Sequence, residues 1–131
     1  MNQTLVNDFN EIVTGRRSIR NYDPNVKISR QEMTEILTKA TLAPSSVNLQ
    51  PWRFVDIDSP EGKATLAPLA KFNQTQVATS AAMIAVFADM NSLDYADEIY
   101  GLAVDAGHMP AEVRDTQLPA IKGLISMMSP E

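Results

Sequence analysis

With 131 residues the chain has the length of a single domain, and a hydrophobic share of 44% is enough to build a core. It contains no cysteine and one histidine, His108, which excludes disulfides, thiolate nucleophiles, Cys-based zinc sites and any His-rich metal centre. Sixteen acidic against eleven basic residues leave a net charge of −5, which opposes nucleic-acid binding.

A helix is expected from about Thr4 to Thr14, because Leu5, Phe9, Ile12 and Val13 fall on one face, with Gly15 as the residue past its end. The stretch from Arg16 to Asn25 has no helical period and closes on turn residues, so it reads as a loop or short extended segment. Ser29 and Glu32 have the spacing of a capping box and open a helix carrying Met33, Ile36, Leu37 and Ala40. Pro44 ends that helix by pushing Ala43 out of the helical region. From Pro44 to Trp52 runs an irregular polar loop bracketed by two prolines, followed by a strand from Arg53 to Ile57.

Ser59-Pro60-Glu61 signals another helix start, which Pro68 breaks or kinks. Phe72 to Thr79 is polar and ambiguous. The longest apolar run, Ala81 to Ala88, reads as a buried core strand and is far short of the roughly 20 residues a membrane helix needs. Asp94 to Ala106 and Ala111 to Met128 are expected as helices, with Leu118, Ile121, Ile125 and Met128 on one stripe of the second. Ser129-Pro130-Glu131 repeats the helix-start signal, so either a further helix begins there or the terminus is polar and frayed. The N-terminus lacks a signal-peptide pattern, and a cytoplasmic setting is expected.

Three clusters could carry chemistry. Arg16, Arg17 and Arg20, with Ser18 among them, gather three guanidiniums and a hydroxyl in five positions of an acidic chain. Planar guanidinium forks suit a phosphate; the alternative is a solvated loop whose ion pairs are each worth about 0–1 kcal/mol. Ser45, Ser46, Asn48 and Gln50 offer groups that both donate and accept, suited to holding a polar ring edge or to satisfying the loop's own backbone. Asn73, Gln74 and Gln76 form an amide-rich patch that otherwise reads as an exposed helix turn. His108 fits a capping or surface role. There is no G-x-G-x-x-G, P-loop, G-x-S-x-G or H-E-x-x-H motif, so hard chemistry would fall to a bound cofactor.

Taken in order, Arg16-Arg17-Ser18-Ile19-Arg20-Asn21-Tyr22, the Ser29-led helix, Ala43 to Phe54, and Phe72-Asn73-Gln74-Thr75-Gln76 before an apolar strand resemble the flavin-dependent nitroreductase family. The resemblance spans roughly Gly15 to Asp89. It implies an α+β fold, a mostly antiparallel central sheet flanked by helices, with residues 1–131 as a single nitroreductase-like domain, the front part of a family domain that continues beyond Glu131. It also implies a homodimer with FMN at its interface, NADH or NADPH as electron donor, and a nitro compound, quinone or similar small molecule as acceptor. No metal, nucleic acid or membrane enters that picture. By the same resemblance Arg16, Ser18 and Arg20 bind the FMN phosphate and ribityl region, with Arg17 adding donors. Pro44, Ser45, Ser46 and Asn48 approach the isoalloxazine ring from the partner chain, with Gln50 nearby, and Asn73 bonds its pyrimidine edge. Gln76 stands where some members carry Lys. No protein residue is assigned a catalytic role. The alternative is a shortened, non-catalytic dimerisation or interaction module that retains no flavin.

Overall fold

The structure, a computed structural model, describes residues 8–128. The chain falls into two compact units, one made by the chain up to Lys27 with Ile57–Met83, the other by Ile28–Asp56 with the chain from Ile84 onward.

In the first unit, helix α1 (Phe9–Gly15) is capped by Asp8, whose side chain accepts from the Glu11 amide. Its expected residues Thr4 to Asn7, Leu5 included, lie outside those described. One expectation is corrected here. Gly15 is the last helical residue rather than a left-handed terminator, and Arg16 takes the cap position with an extended backbone. The apolar face also stays uncovered, Phe9, Ile12 and Val13 all being exposed. Helix α3 (Pro60–Leu66) begins as its sequence predicts, with Ser59 accepting from the Gly62 amide and proline in the first turn, and it stops before Pro68. Helix α4 (Gln74–Thr79) resolves the ambiguous polar stretch and buries Val77.

The second unit opens with α2 (Arg30–Ala40), whose start is a complete Ser29–Glu32 capping box and whose buried residue is Met33. Strand β1 (Trp52–Ile57) pairs with β2 (Met83–Ala88). The Asp89 amide donates to the Pro51 carbonyl at 2.6 Å, so the end of β2 lies beside the start of β1 and the pair is antiparallel. The apolar run is therefore a strand, but not the buried one its composition suggests: Ile84, Val86 and Phe87 are exposed. A two-stranded ribbon supplies too few neighbours to cover both faces.

After a 3-10 turn at Ser92–Tyr95, helices α5 (Ala96–Asp105) and α6 (Ala111–Met128) pack together. Leu49, Ala96, Tyr100 and Leu118 form the buried cluster, with Leu93, Ile99, Met109, Ile121 and Ile125 against it. The expected α6 stripe is thus the packing face through Ile125; the Met128 side chain and Ser129–Glu131 lie outside the description. Helix α5 ends in a Schellman arrangement: Gly107 (φ 72°) donates to Val104 O and His108 N donates to Ala103 O. The fold is α+β, two antiparallel strands with six helices among the described residues. No helix there is long and apolar enough to cross a membrane.

Candidate functional site

The sequence-predicted residues fall into two groups, one in each unit. In the first unit, the loop leaving α1 carries Arg16, Arg17, Ser18 and Arg20, all exposed. It is irregular because α1 ends on Gly15 and the residues that follow, Ile19 among them, have no helical apolar period. Its far end is fixed: the Tyr22 amide donates to Thr79 Oγ1 at 3.1 Å, and the Tyr22 hydroxyl donates to Ile19 O at 2.9 Å. The loop is therefore tied to the C-terminal end of α4, the helix that begins beside Asn73.

The three guanidiniums are not equivalent. Arg17 Nη1 donates to Thr14 O at 2.9 Å and Arg16 O at 2.8 Å, completing the end of α1. Arg16 and Arg20 have no hydrogen-bond or ion-pair partner for their side chains among the described residues, where the three ion pairs are Arg53–Asp89, Arg114–Asp115 and Lys122–Asp97. Two cationic forks without a carboxylate partner among the described residues have the donor geometry that suits an anion.

Asn73 stands at the N-cap of α4, a place where an Asn side chain normally caps the helix, yet it makes no capping bond. Its Oδ1 instead accepts from Gln76 Nε2 at 3.1 Å. That leaves the side-chain atoms Asn73 Nδ2 and Gln76 Oε1 without a hydrogen-bond partner among the described residues. A donor and an acceptor carried on the same helical turn suit the alternating N–H and C=O edge of an imide-like ring.

The second group is the proline-bracketed loop. Pro44, Ser46, Asn48 and Gln50 are exposed and Ser45 is half-buried. Ser45 Oγ accepts from the Gln50 amide at 3.0 Å, and Asn48 Oδ1 accepts from Gln50 Nε2 at 3.4 Å. Val47, Asn48 and Gln50 all have left-handed backbones, with φ of 44°, 54° and 48°. None is glycine, and each such residue costs roughly 1–3 kcal/mol, with β-branched Val the hardest to accommodate. Strain of this kind persists only where surrounding structure imposes it, and it concentrates at functional sites.

Two residues that the sequence did not single out supply that support. The Tyr100 hydroxyl donates to Val47 O at 2.9 Å from a ring only 4% exposed, and burial raises its phenol above the ordinary tyrosine value. Arg53 Nη1 donates to Gln50 O at 3.2 Å. Nothing local could have revealed the Tyr100 role, since 53 positions separate it from Val47. The only hint is its helical spacing from Ala96, which marks it as a core-facing side chain with a polar tip.

Cavities elsewhere offer less. One of 450 Å³ in the first unit is lined by Lys63, Gln74 and Val77 among others. Two of its polar side chains are engaged: Lys63 Nζ donates to Ser80 O, and Gln74 Nε2 donates to the carbonyls of Ala67 and Ala70. Among the described residues no cluster of three or more His, Cys, Asp or Glu side chains could hold a metal ion. Each group is a set of donors and acceptors without a strong nucleophile, chemistry suited to holding a ligand rather than attacking one.

The sequence profile described as Nitroreductase family matches residues 13–112. A Bacillus subtilis protein provisionally named NAD(P)H nitroreductase YdgI is 71% identical over 115 residues, covering 88% of this chain and 55% of that protein. A crystal structure of a provisionally named nitroreductase in complex with FMN, from Exiguobacterium sibiricum 255-15, is 68% identical with a TM-score of 0.84, covering 95% of this chain and 59% of that one. A second, of a provisionally named NAD(P)H:FMN oxidoreductase from Staphylococcus epidermidis ATCC 12228, is 43% identical with a TM-score of 0.80, covering 93% and 59%. The chain thus spans a little over half the length of these relatives.

Proposed function

The chain belongs to the nitroreductase family, and from that premise we propose that it is an FMN-dependent oxidoreductase, passing hydride from NADH or NADPH through the flavin to a nitro compound, quinone or similar acceptor. In this reading residues 1–131 are the front part of one nitroreductase-like domain, acting in the cytoplasm as a homodimer with FMN at the interface.

The observation that carries the reading is the pair Arg16 and Arg20, without side-chain partners among the described residues and displayed on one loop of an acidic chain. Their forks bind the FMN phosphate, Ser18 adds a hydroxyl, and Arg17, turned back onto α1, holds the loop and offers its backbone amide. The free donor of Asn73 and free acceptor of Gln76 meet the pyrimidine edge of the ring. Pro44, Ser45, Ser46 and Asn48 approach the ring from the partner chain, with Gln50 nearby. FMN in the Exiguobacterium protein supports the cofactor, and the names of the Bacillus and Staphylococcus proteins support NAD(P)H as donor.

Bound FMN supplies the hydride chemistry. The chain's own residues bind and orient it, and none serves as nucleophile or essential proton carrier. Gln76, neutral where a lysine would bring charge, contributes only a hydrogen bond.

The test is the absorbance spectrum of the purified chain, followed by FMN titration and by NADH turnover with a nitroaromatic. The expected result is a yellow, dimeric protein that oxidises NADH in the presence of the acceptor. A protein that stays colourless after FMN is added sinks the reading.

A further inference from the structure

The segment Val47–Gln50 is held from outside as well as by its own N–H bonds. Three of its four residues are non-glycine and left-handed, and the fourth, Leu49, is buried at 6% exposure in the cluster with Ala96, Tyr100 and Leu118. Leu49 fixes where the segment sits; it does not fix which way the peptide units on either side of Asn48 face. The N–H sides of these units bond within the loop, Asn48 N to Ser45 O at 3.1 Å and Leu49 N to Ser46 O at 3.2 Å; from outside the segment, two carbonyls are held. The Tyr100 hydroxyl takes Val47 O at 2.9 Å, and Arg53 Nη1 takes Gln50 O at 3.2 Å while its Nη2 is held by Asp89 Oδ2 at 2.6 Å. The two grips fall on either side of Asn48 in sequence, and Asn48 itself is exposed.

A phenylalanine at position 100 would fill the same core space, so packing alone does not call for the hydroxyl. The hydroxyl is the one polar atom of that cluster that reaches the loop, and it ends on the carbonyl of the most strained residue type in the segment. We propose that Tyr100 is a positioning residue: it sets the left-handed Val47–Gln50 segment and thereby presents Asn48 and its neighbours to the flavin, acting through the Val47 carbonyl without touching the ligand. This rests on the reading that the Pro44–Gln50 loop borders the FMN ring.

The test uses the 131-residue chain and Tyr100→Phe, which removes only the hydroxyl. Amide hydrogen exchange is followed at Asn48, Leu49 and Gln50, whose N–H groups all bond within the loop, and at Met33 in α2 as a reference. Flavin fluorescence quenching gives the FMN dissociation constant. Tyr100→Phe is expected to speed loop exchange about tenfold with α2 unchanged, and to weaken FMN binding roughly five- to tenfold, the size of one lost hydrogen bond. Placing Val47→Gly on top removes the left-handed penalty. It is expected to bring FMN binding back to within about threefold of the Val47→Gly protein. Uniform acceleration of exchange in α2 and loop alike, or unaltered loop exchange, overturns the positioning role, and so does loosened exchange with unchanged FMN affinity. If the parent chain binds no FMN, the flavin reading falls. Exchange confined to the loop then still supports Tyr100 as the element that sets it.

Discussion

Arg53 reaches from the first turn of β1 to Asp89 just past β2, Nη2 lying 2.6 Å from Oδ2, while its Nη1 holds the carbonyls of Gln50 and Trp52. Its guanidinium also lies 5.6 Å from the Tyr95 ring centre. One side chain thus links the strand pair to the strained loop. The ion pair is partly exposed, so its own worth is modest. Asp89→Asn is expected to lower the unfolding free energy by about 0.5–1 kcal/mol, less at high salt. Arg53→Ala, which also strips bonds from two carbonyls, is expected to cost about 1–2 kcal/mol. Urea unfolding at two salt concentrations separates the two effects.

The start of α2 gives a pH-dependent prediction. The Ser29 amide and hydroxyl both donate to Glu32 Oε2 at 3.0 Å, and the backbone bond first, then the hydroxyl, hold the Glu32 carboxyl below its ordinary value of 4.5. A carboxyl whose folded value is depressed adds stability above its unfolded value, and that stability is lost as pH falls through the folded value. The gap in Tm between the parent and Glu32→Gln is therefore expected to be full at neutral pH and to close below about pH 4.5. Ser29→Ala removes the cap itself and is expected to cost about 1 kcal/mol at neutral pH.

What the sequence made legible were features of short range. The Ser29 and Ser59 caps, the stop before Pro68 and the α6 stripe through Ile125 all rest on residues within a few positions of one another, where spacing and side-chain chemistry decide. The site residues were legible as chemical types, since arginines in an acidic chain and amides without acids narrow the ligand. Long-range relations were not legible. No local pattern places Tyr100 on Val47 or Arg53 beside Asp89, and none reveals that Arg17 is spent on α1 while Arg16 and Arg20 have no partner among the described residues. Ala81–Ala88 misled for a related reason. Composition signals that a strand seeks burial, but only its neighbours decide whether it obtains it.

Two glycines in helices should respond oppositely to alanine. A Cβ on Gly101 in α5 meets nothing within 4 Å, so Gly101→Ala gains helix propensity and is expected to stabilise by about 0.5–1 kcal/mol. A Cβ on Gly62 in α3 would sit 2.9 Å from Ile57 Cγ2 and 3.2 Å from Ser59 Oγ, the N-cap oxygen. Gly62→Ala is expected to destabilise by about 1–3 kcal/mol despite the better propensity. Thermal unfolding that moves both variants in the same direction would contradict this packing of α3.

The arginines of the loop after α1 should separate binding from folding. Arg16 and Arg20 are exposed and unpaired among the described residues, so Arg20→Ala is expected to leave Tm unchanged while weakening FMN binding about tenfold or more, the range for a charge-assisted hydrogen bond. Arg17→Ala is expected to act the other way, lowering stability by about 0.5–1.5 kcal/mol through the lost bonds to Thr14 and Arg16 with a smaller effect on flavin. Flavin occupancy after purification, read beside thermal unfolding, distinguishes them. Equal occupancy in Arg20→Ala counts against the phosphate role.

Alkaline titration tests the Tyr100 contact from its proton. Burial holds the phenol above its ordinary value of 10.0, so the neutral form is favoured in the folded chain. A group whose folded value is raised contributes stability that is complete below the unfolded value, near pH 10, and that is lost as pH rises through the folded value. The physical loss is specific: once ionised, the oxygen can no longer donate to Val47 O, and a phenolate facing a carbonyl is repelled. The parent chain is therefore expected to lose its stability advantage over Tyr100→Phe above pH 10. The phenolate absorbance present in the parent and absent from Tyr100→Phe should develop at higher pH than that of free tyrosine. A difference titration centred at or below pH 10 would mean that the hydroxyl is solvated, and that another group holds the left-handed turn at Val47.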